Sequence, residues 1–389
     1  MKTKARILVA PLNWGLGHAT RCIPIINELI ASGYEVVLAS DGQALALLKK
    51  EFPSLLALSL PAYDVTYAKE AVHFKRNLLL QGPKIWKAVR KEHNVLKEYI
   101  EKYAIKGIIS DNRLGLYTSK VPCVIITHQI QVLSGQTTWI SSILHSRYIK
   151  KFTECWVPDY EGEINLSGKL SHTKGLRFPI RHIGALSRFT YREKSTHTYA
   201  ITAVVSGPEP QRTIFEHQLH KTLKKYNGKT LLVRGRVEDE QEWETDGLCT
   251  SVNYLTSQEL GEVLNDSRYV IARSGYSTIM DLAKLKKKAF FIPTPGQPEQ
   301  EYLAQRLKEQ GIVPFSTQEN FSLKSLSKLK MYHGFEALEE ANQPRLRDFF
   351  SLFEGKRELR PNSKLAFYIN LFFVSLNDVL YNRETESRS

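Results

Sequence analysis

Strand-sized apolar runs alternate with helix-length segments twice along this chain, and a polar, basic stretch divides the two series. In the first series "RILVAP", "YEVVLAS" (Tyr34–Ser40), "LLALSL" (Leu55–Leu60), "KGIISD" (Lys106–Asp111), "CVIITH" (Cys123–His128) and "ECWVPD" (Glu154–Asp159) read as strands. Runs without a polar alternate face need helices on both sides, which dictates a parallel sheet. The second series follows a linker read at Ser187–Thr198. Its strands are "YAITAVVSG", "TLLVRG", "SVNYL", "YVIARSG" and "AFFIPT". Its helices are "QRTIFEHQLHKTLKKY", "SQELGEVLND" with Ser257 as N-cap, "YSTIMDLAKL" and "QEYLAQRLKEQG". The expected architecture is α/β, with two Rossmann-like domains facing each other across a cleft. Residues 1–190 form the first domain, 191–355 the second, and 356–389 a helical tail packing back on the first. Ligands of such sheets sit beyond the carboxyl ends of the strands.

Composition narrows the class. The chain has 389 residues and is 42% hydrophobic, enough for two cores. Four cysteines without a Cys-x-x-Cys pair argue against a disulfide framework or a thiolate metal site, and fit a reducing cytoplasm. The net charge of +14 suits an anionic substrate, nucleic acid or an anionic membrane face. The basic residues are spread along the chain and no nucleic-acid recognition motif accompanies them, so nucleic acid is not expected. The apolar stretch Lys364–Leu380 is interrupted by Asn370, Ser375, Asn377 and Asp378 and is shorter than the ~20 residues of a spanning helix. It reads as a helix packing on the body of the protein.

Three strand-to-helix turns carry candidate chemistry. In "NWGLGH", Gly15 and Gly17 permit close backbone approach, and the helix behind them directs its N–H groups at the cleft. His18 stands at the helix entrance, where an imidazole can take a proton from an incoming hydroxyl. The spacing departs from G-x-G-x-x-G, since Thr20 follows, which weakens a dinucleotide reading. In "VVSGPEPQR", Ser206 and Gly207 can bring backbone N–H groups to a diphosphate, with Arg212 adding charge. In "IARSGYSTIMDL", Arg273, Ser274 and Gly275 are placed for a diphosphate, and Asp281 can accept from two ribose hydroxyls. "PTPGQPEQEYLA" adds Gln297, Gln300 and Glu301 for sugar hydroxyls.

At these residues the chain resembles a GT-B glycosyltransferase of the MurG-like group, glycosyltransferase family 28. "GLGH" is similar to that group's Gly-Gly-His turn, and "RSGYSTIMDL" with "PTPGQPEQEYLA" matches its C-terminal motif without gaps. Asp281 stands where the group has glutamate. The likeness covers roughly residues 5–315. It implies an inverting hexosyl transfer from a nucleotide-diphosphate sugar, most often a UDP-sugar, held mainly by the C-terminal domain. The sugar nucleotide is a co-substrate; no further cofactor and no metal are implied, and the sequence contains no Asp-x-Asp. His18 would take the acceptor's proton, with Asp111 or His128 as alternative bases.

Asp111 and His128 end N-domain strands, where an acceptor would sit, with Arg113 and Gln129 as weaker acceptor-side candidates. The basic segment Pro83–Tyr103 and the apolar C-terminus suit a lipid-linked acceptor reached from the cytoplasmic face of a membrane, through peripheral contact. A soluble hydroxyl acceptor suits them nearly as well. Two other readings compete: a nucleotide-sugar epimerase of the UDP-GlcNAc 2-epimerase type, and a non-catalytic nucleotide-sugar-binding subunit that recruits a membrane partner.

Overall fold

The computed structural model describes residues 5–63, 82–131, 145–162, 165–172, 178–193, 197–207, 209–236, 238–337 and 345–354. The expected C-terminal tail, 356–389, lies outside the described residues.

Seven parallel strands form the first sheet: β1 (Arg6–Pro11), β2 (Glu35–Ser40), β3 (Leu56–Ser59), β4 (Gly107–Asp111), β5 (Cys123–Ile126), β6 (Glu154–Val157) and β7 (Ile180–His182). Their order is β3-β2-β1-β4-β5-β6-β7, so the chain reverses direction of growth beside β1, at the β1/β4 switch point. Ile7 and Val9 belong to one apolar layer, Leu8 and Ala10 to the other. Period-two alternation therefore buries both faces, and this is why the run carries no polar residue from Ile7 to Ala10.

The second sheet orders its six strands β10-β11-β9-β8-β12-β13. They are β8 (Tyr199–Val204), β9 (Thr230–Val233), β10 (Trp243–Asp246), β11 (Cys249–Val252), β12 (Ser267–Ala272) and β13 (Ala289–Phe291). All pair in parallel except the β10–β11 hairpin. Helices α1 (Gly17–Ala31), α2 (Gly42–Glu51) and α3 (Gly82–Lys102) belong to the first domain. Helices α4 (Gln211–Leu223), α5 (Ser257–Asn265), α6 (Tyr276–Lys284) and α7 (Pro298–Glu309) belong to the second. One apolar cluster runs continuously from Ile23 and Ile26 of α1 to Tyr276, Ile279 and Met280 of α6, so the two domains share a packed seam.

The structure departs from the sequence reading in four places. Strands β7 and β10 were not expected: three half-buried residues and four exposed ones leave no apolar signal. The N-cap of α5 is Thr256, not Ser257. Thr256 has the extended backbone a cap needs, accepts from Glu259 N–H and donates its own N–H to the Glu259 carboxylate. Ser257 donates instead to Glu51 across the cleft. The segment read as a linker is docked on the second domain, with Phe189 only 5% exposed and Arg188 Nη1 2.9 Å from Ser257 Oγ.

The boundary at 355 also moves. The 3-10 segment Leu346–Phe353 packs on the first domain, not the second. Phe349, Phe350 and Phe353 surround Trp156 at 5.8, 6.3 and 6.3 Å between ring centroids. Tyr34 Oη donates to the Phe350 carbonyl at 3.2 Å. The aromatic spacing of "LRDFFSLF" gives it an apolar face that the first sheet covers.

Candidate active site

Helix α1 begins at the carboxyl end of β1, after Gly15 in the left-handed region at φ +81. No side chain caps it, so its first N–H groups face the cleft. Its first turn meets the first turn of α6 from the other domain. Ser277 Oγ donates to the Gly17 carbonyl at 3.0 Å, and a Cβ at Gly17 would stand only 3.0 Å from that hydroxyl oxygen. Gly17 thus leaves room for the Ser277 side chain where the two domains meet.

His18 and Arg21 lie three residues apart on one face of α1. Both reach Asp111, the last residue of β4, which is wholly buried. His18 Nδ1 is 2.8 Å from Asp111 Oδ1, and the Arg21 guanidinium grips both carboxylate oxygens. Burial alone would raise the Asp111 carboxyl, but Arg21 and His18 override it and hold it well below the usual carboxylate range. Asp111 is therefore an ionised acceptor 2.8 Å from His18 Nδ1, with Arg21 Nη2 2.9 Å from the same nitrogen; the Asp111 contact favours a proton on Nδ1 and a lone pair on Nε2. Nε2 makes no hydrogen bond among the described residues, and the side chain is 14% exposed. Burial, against the pull of Asp111, pushes the imidazole below its ordinary value of 6.5, so His18 is neutral at pH 7. The arrangement is an oriented neutral imidazole, able to accept a proton at Nε2 while Asp111 stabilises the resulting cation.

The network continues across the cleft. Arg21 Nη1 lies 3.1 Å from His128 Nδ1, and His128 Nε2 lies 2.7 Å from Glu299 Oε1. A proton on Nε2 of His128 satisfies both contacts. Gln129 donates to the other Glu299 oxygen. The His128 ring stacks on Tyr276 at 4.2 Å and 7°, and Tyr276 Oη donates to the Pro158 carbonyl at 2.9 Å. Burial opposes ionisation of Glu299, but His128 and Arg21 outweigh it and lower its pKa. Asp111, His18, His128 and Gln129 thus form one cluster. Glu299, Arg21 and Tyr276 belong to it and were missed. Arg21 was legible as the i+3 neighbour of His18. Glu299 acts only through residues 170 or more positions away, a pairing that no local pattern announces.

Two expected roles are corrected. Arg273 does not face a diphosphate. It is 1% exposed, and its guanidinium donates to the carbonyls of Ile292, Pro293 and Gln211 and to Gln318 Oε1, 3.8 Å from the Phe215 ring centroid. Strand alternation explains it: Ile271 points to the layer of Phe215 and Phe321, and Arg273 follows two residues on. Burial lowers its pKa to about 9, which leaves it charged at pH 7. Arg113 is not an acceptor-side group either. It is 0% exposed and tied to Glu92 at 2.5 Å, Asp41 at 2.6 Å and the Pro61 carbonyl at 2.7 Å.

The remaining candidates are placed as follows. Ser274 Oγ donates to the Gln300 carbonyl at 2.7 Å, beside Gly275 at the head of α6. Gln300 Oε1 accepts from Thr294 N–H, and its Nε2 donates to Gln297 Oε1. Glu301 accepts from Gly296 N–H at 3.2 Å. These three side chains fold their own loop. Asp281 accepts from Ser187 Oγ at 2.7 Å. Burial raises its carboxyl to about 6, against the pull of Arg188. Gly207, at φ +113, bends the turn after β8 next to Ser206.

Residues 211–345 match the model of the glycosyltransferase family 28 C-terminal domain. The chain is a glycosyltransferase of GT-B fold whose second domain is similar to the family 28 C-terminal domain. An uncharacterized glycosyltransferase of Methanosarcina acetivorans is 24% identical to it over 328 residues, covering 79% of this chain and 84% of the relative. One of Methanosarcina mazei is 23% identical over 336 residues, with 79% and 84% covered. Among solved structures, the spinosyn rhamnosyltransferase SpnG superposes with a TM-score of 0.59 at 14% identity, covering 90% of this chain and all 100% of that one. MurG of Acinetobacter baumannii gives 0.53 at 12% identity, with 90% and 99% covered. The match includes the turn before α6, α6 itself, the loop after β13 and the start of α7, and so every C-terminal motif residue from Arg273 to Glu301. The glycosyltransferase therefore carries its family motif on the domain that faces His18.

Proposed function

We propose that this glycosyltransferase transfers a hexosyl group, with inversion and without metal, from a nucleotide-diphosphate sugar to a hydroxyl acceptor. A UDP-sugar is the preferred donor. The observation that carries the reading is the His18 imidazole, oriented by buried Asp111 and open at Nε2, at a helix N-terminus opposite the family 28 motif. The acceptor hydroxyl gives its proton to Nε2. Its oxygen forms the new bond to the anomeric carbon from the face opposite the leaving group. The bond to the diphosphate breaks, and its electron pair goes to the phosphate oxygen. The N-termini of α4 and α6, neither capped by a side chain, would stabilise that charge. Metal independence rests on the absence of Asp-x-Asp and on this use of helix ends.

Asp281 would receive the ribose hydroxyls at the head of this site, and Gln297, Gln300 and Glu301 the sugar. The acceptor would lie against the first domain. Lys87, Arg90 and Lys91 are exposed on the first turns of α3, which suits a lipid-linked acceptor with an anionic headgroup. No helix among the described residues is long and apolar enough to cross a membrane.

The direct test is consumption of a panel of UDP-, GDP- and dTDP-hexoses with EDTA present, using membrane lipid extract as acceptor source. Release of a nucleoside diphosphate with a product of inverted anomeric configuration is expected. Retention of configuration, or turnover only with added divalent metal, contradicts the reading.

Asp281 gives a prediction that separates function from stability. Its folded-state carboxyl lies near 6, above the ordinary 3.8. Such a group contributes stability that is fully present below its unfolded pKa and is lost as pH rises through about 6. At pH 7.5, Asp281→Asn is therefore expected to leave the thermal midpoint unchanged or raised. Donor affinity, measured by calorimetry, should fall about tenfold or more as the ribose loses a charged acceptor.

A further inference from the structure

With Arg273 sealed beneath the second sheet, the leaving diphosphate needs another cation. One stands at the carboxyl end of β9, where "VRGR" (Val233–Arg236) leaves the strand. Three guanidiniums gather there around Glu216 of α4, a carboxylate whose side chain is 7% exposed. Arg212 Nη1 lies at 2.7 Å, Arg236 Nη2 at 2.9 Å and Arg234 Nε at 3.7 Å. Arg212 also binds Glu209 and the Arg234 carbonyl, and Arg234 also binds Glu244 and Ser251. Arg236 differs. Its side-chain hydrogen bonds among the described residues go only to Glu216, whose single charge is divided among three cations. Its Nε is buried without a partner among the described residues, while the side chain as a whole is 38% exposed.

Its neighbours place it on the cleft. A Cβ at Gly235 would collide with the Val205 carbonyl, so this loop lies directly against the strand end that leads into Ser206 and Gly207. Two residues beyond Arg236, the Glu238 carbonyl accepts from Lys50 Nζ of the first domain at 2.9 Å. Arg236 therefore sits between the β8 turn and the opposing domain.

A second observation marks the same turn. Thr294 is 3% exposed, yet its Oγ1 has no hydrogen-bond partner among the described residues, and it is the atom that faces Gly207, 3.9 Å from where a Cβ would stand. Buried polar atoms without partners are uncommon in native proteins. Here a guanidinium N–H and a hydroxyl remain unpaired among the described residues around a glycine turn at a helix N-terminus with no side-chain cap. That donor set suits a ligand with several charged acceptor oxygens.

We infer that Arg236, with Thr294 and the N-terminus of α4, binds the diphosphate of the donor and supplies the charge that Arg273 cannot. The inference rests on the nucleotide-sugar reading above.

The test compares a nucleoside diphosphate with its parent nucleoside, UDP with uridine first and the guanosine and thymidine pairs alongside. Each is titrated against the full-length wild type and the variants Arg236→Ala, Arg236→Lys and Thr294→Val. In Arg236→Ala, diphosphate affinity should fall about tenfold or more while nucleoside affinity stays within about twofold. Arg236→Lys should recover part of the loss, and Thr294→Val should lose a few-fold. Two results overturn the inference: Arg236→Ala binding the diphosphate as the wild type does, or losing nucleoside and diphosphate equally, as a merely structural arginine would. A wild type that binds no nucleoside diphosphate refutes the donor reading itself, and is distinguishable from both.

Discussion

Replacing His18 with alanine lowers turnover by roughly 10²–10⁴-fold while donor affinity is unchanged. The size follows from the proposed role: a general base contributes that much, and in the fold His18 only shares a network that Arg21 and Asp111 form between themselves. Its Nδ1 contact leaves Asp111 still paired with Arg21 when the ring is removed. The pH dependence adds an independent readout. Burial lowers the imidazole pKa, so the acid limb of the rate profile should fall below 6.5, the ordinary histidine value. Asp111→Asn should reduce turnover comparably, because the side-chain amide no longer fixes the proton on Nδ1. That variant also leaves Arg21 buried without its carboxylate, so its thermal midpoint should drop while that of His18→Ala holds. Steady-state kinetics and thermal unfolding on the two variants separate the base from its support.

The largest effect on stability is expected at a residue with no part in the chemistry. Arg113→Ala removes the partner of Glu92, which is 0% exposed and would keep only Tyr63 Oη and the Gly115 N–H. Breaking a buried pair on one side costs about 3–5 kcal/mol. For a domain of this size that is a fall of roughly 10 °C in thermal midpoint. The same substitution also frees Asp41 and the Pro61 carbonyl, which Arg113 ties to the end of β4. Donor affinity of the folded protein, measured well below the transition, should match the wild type. A stable Arg113→Ala variant with impaired acceptor use would restore the acceptor-side role that the structure removes from this residue.

Much of the fold was legible because the chemistry of a doubly covered sheet leaves a local trace. Apolar runs such as "RILVAP" and "KGIISD" carry it, and their strands lie where the pattern put them. Strand β10 lies at a sheet edge with four exposed residues, and nothing in "WETD" separates it from a loop. The 3-10 segment Leu346–Phe353 shows its apolar face in the sequence, but not which domain it covers. That depends on Trp156 and Tyr34, far away in the chain.

The candidate site divides in the same manner. His18, Asp111 and His128 were legible because Asp111 ends β4, His128 follows β5 and His18 opens the helix after β1, and the sheet order brings those ends together. Arg273 occupies the same kind of position but follows the strand's alternation to the buried side. Counting two residues from Ile271 would have revealed it. Glu299 and Arg236 act through partners on other elements. Sequence spacing is silent about such pairings, and only the packed structure supplies them.

The most direct measurement of the central claim is a calorimetric titration of the wild type and Asp281→Ala with UDP, GDP and dTDP, each with magnesium and with EDTA. The account predicts that one nucleotide binds the wild type equally well in both conditions, and that Asp281→Ala weakens that binding severely. No binding of any of the three by the wild type, or full binding by Asp281→Ala, would contradict it.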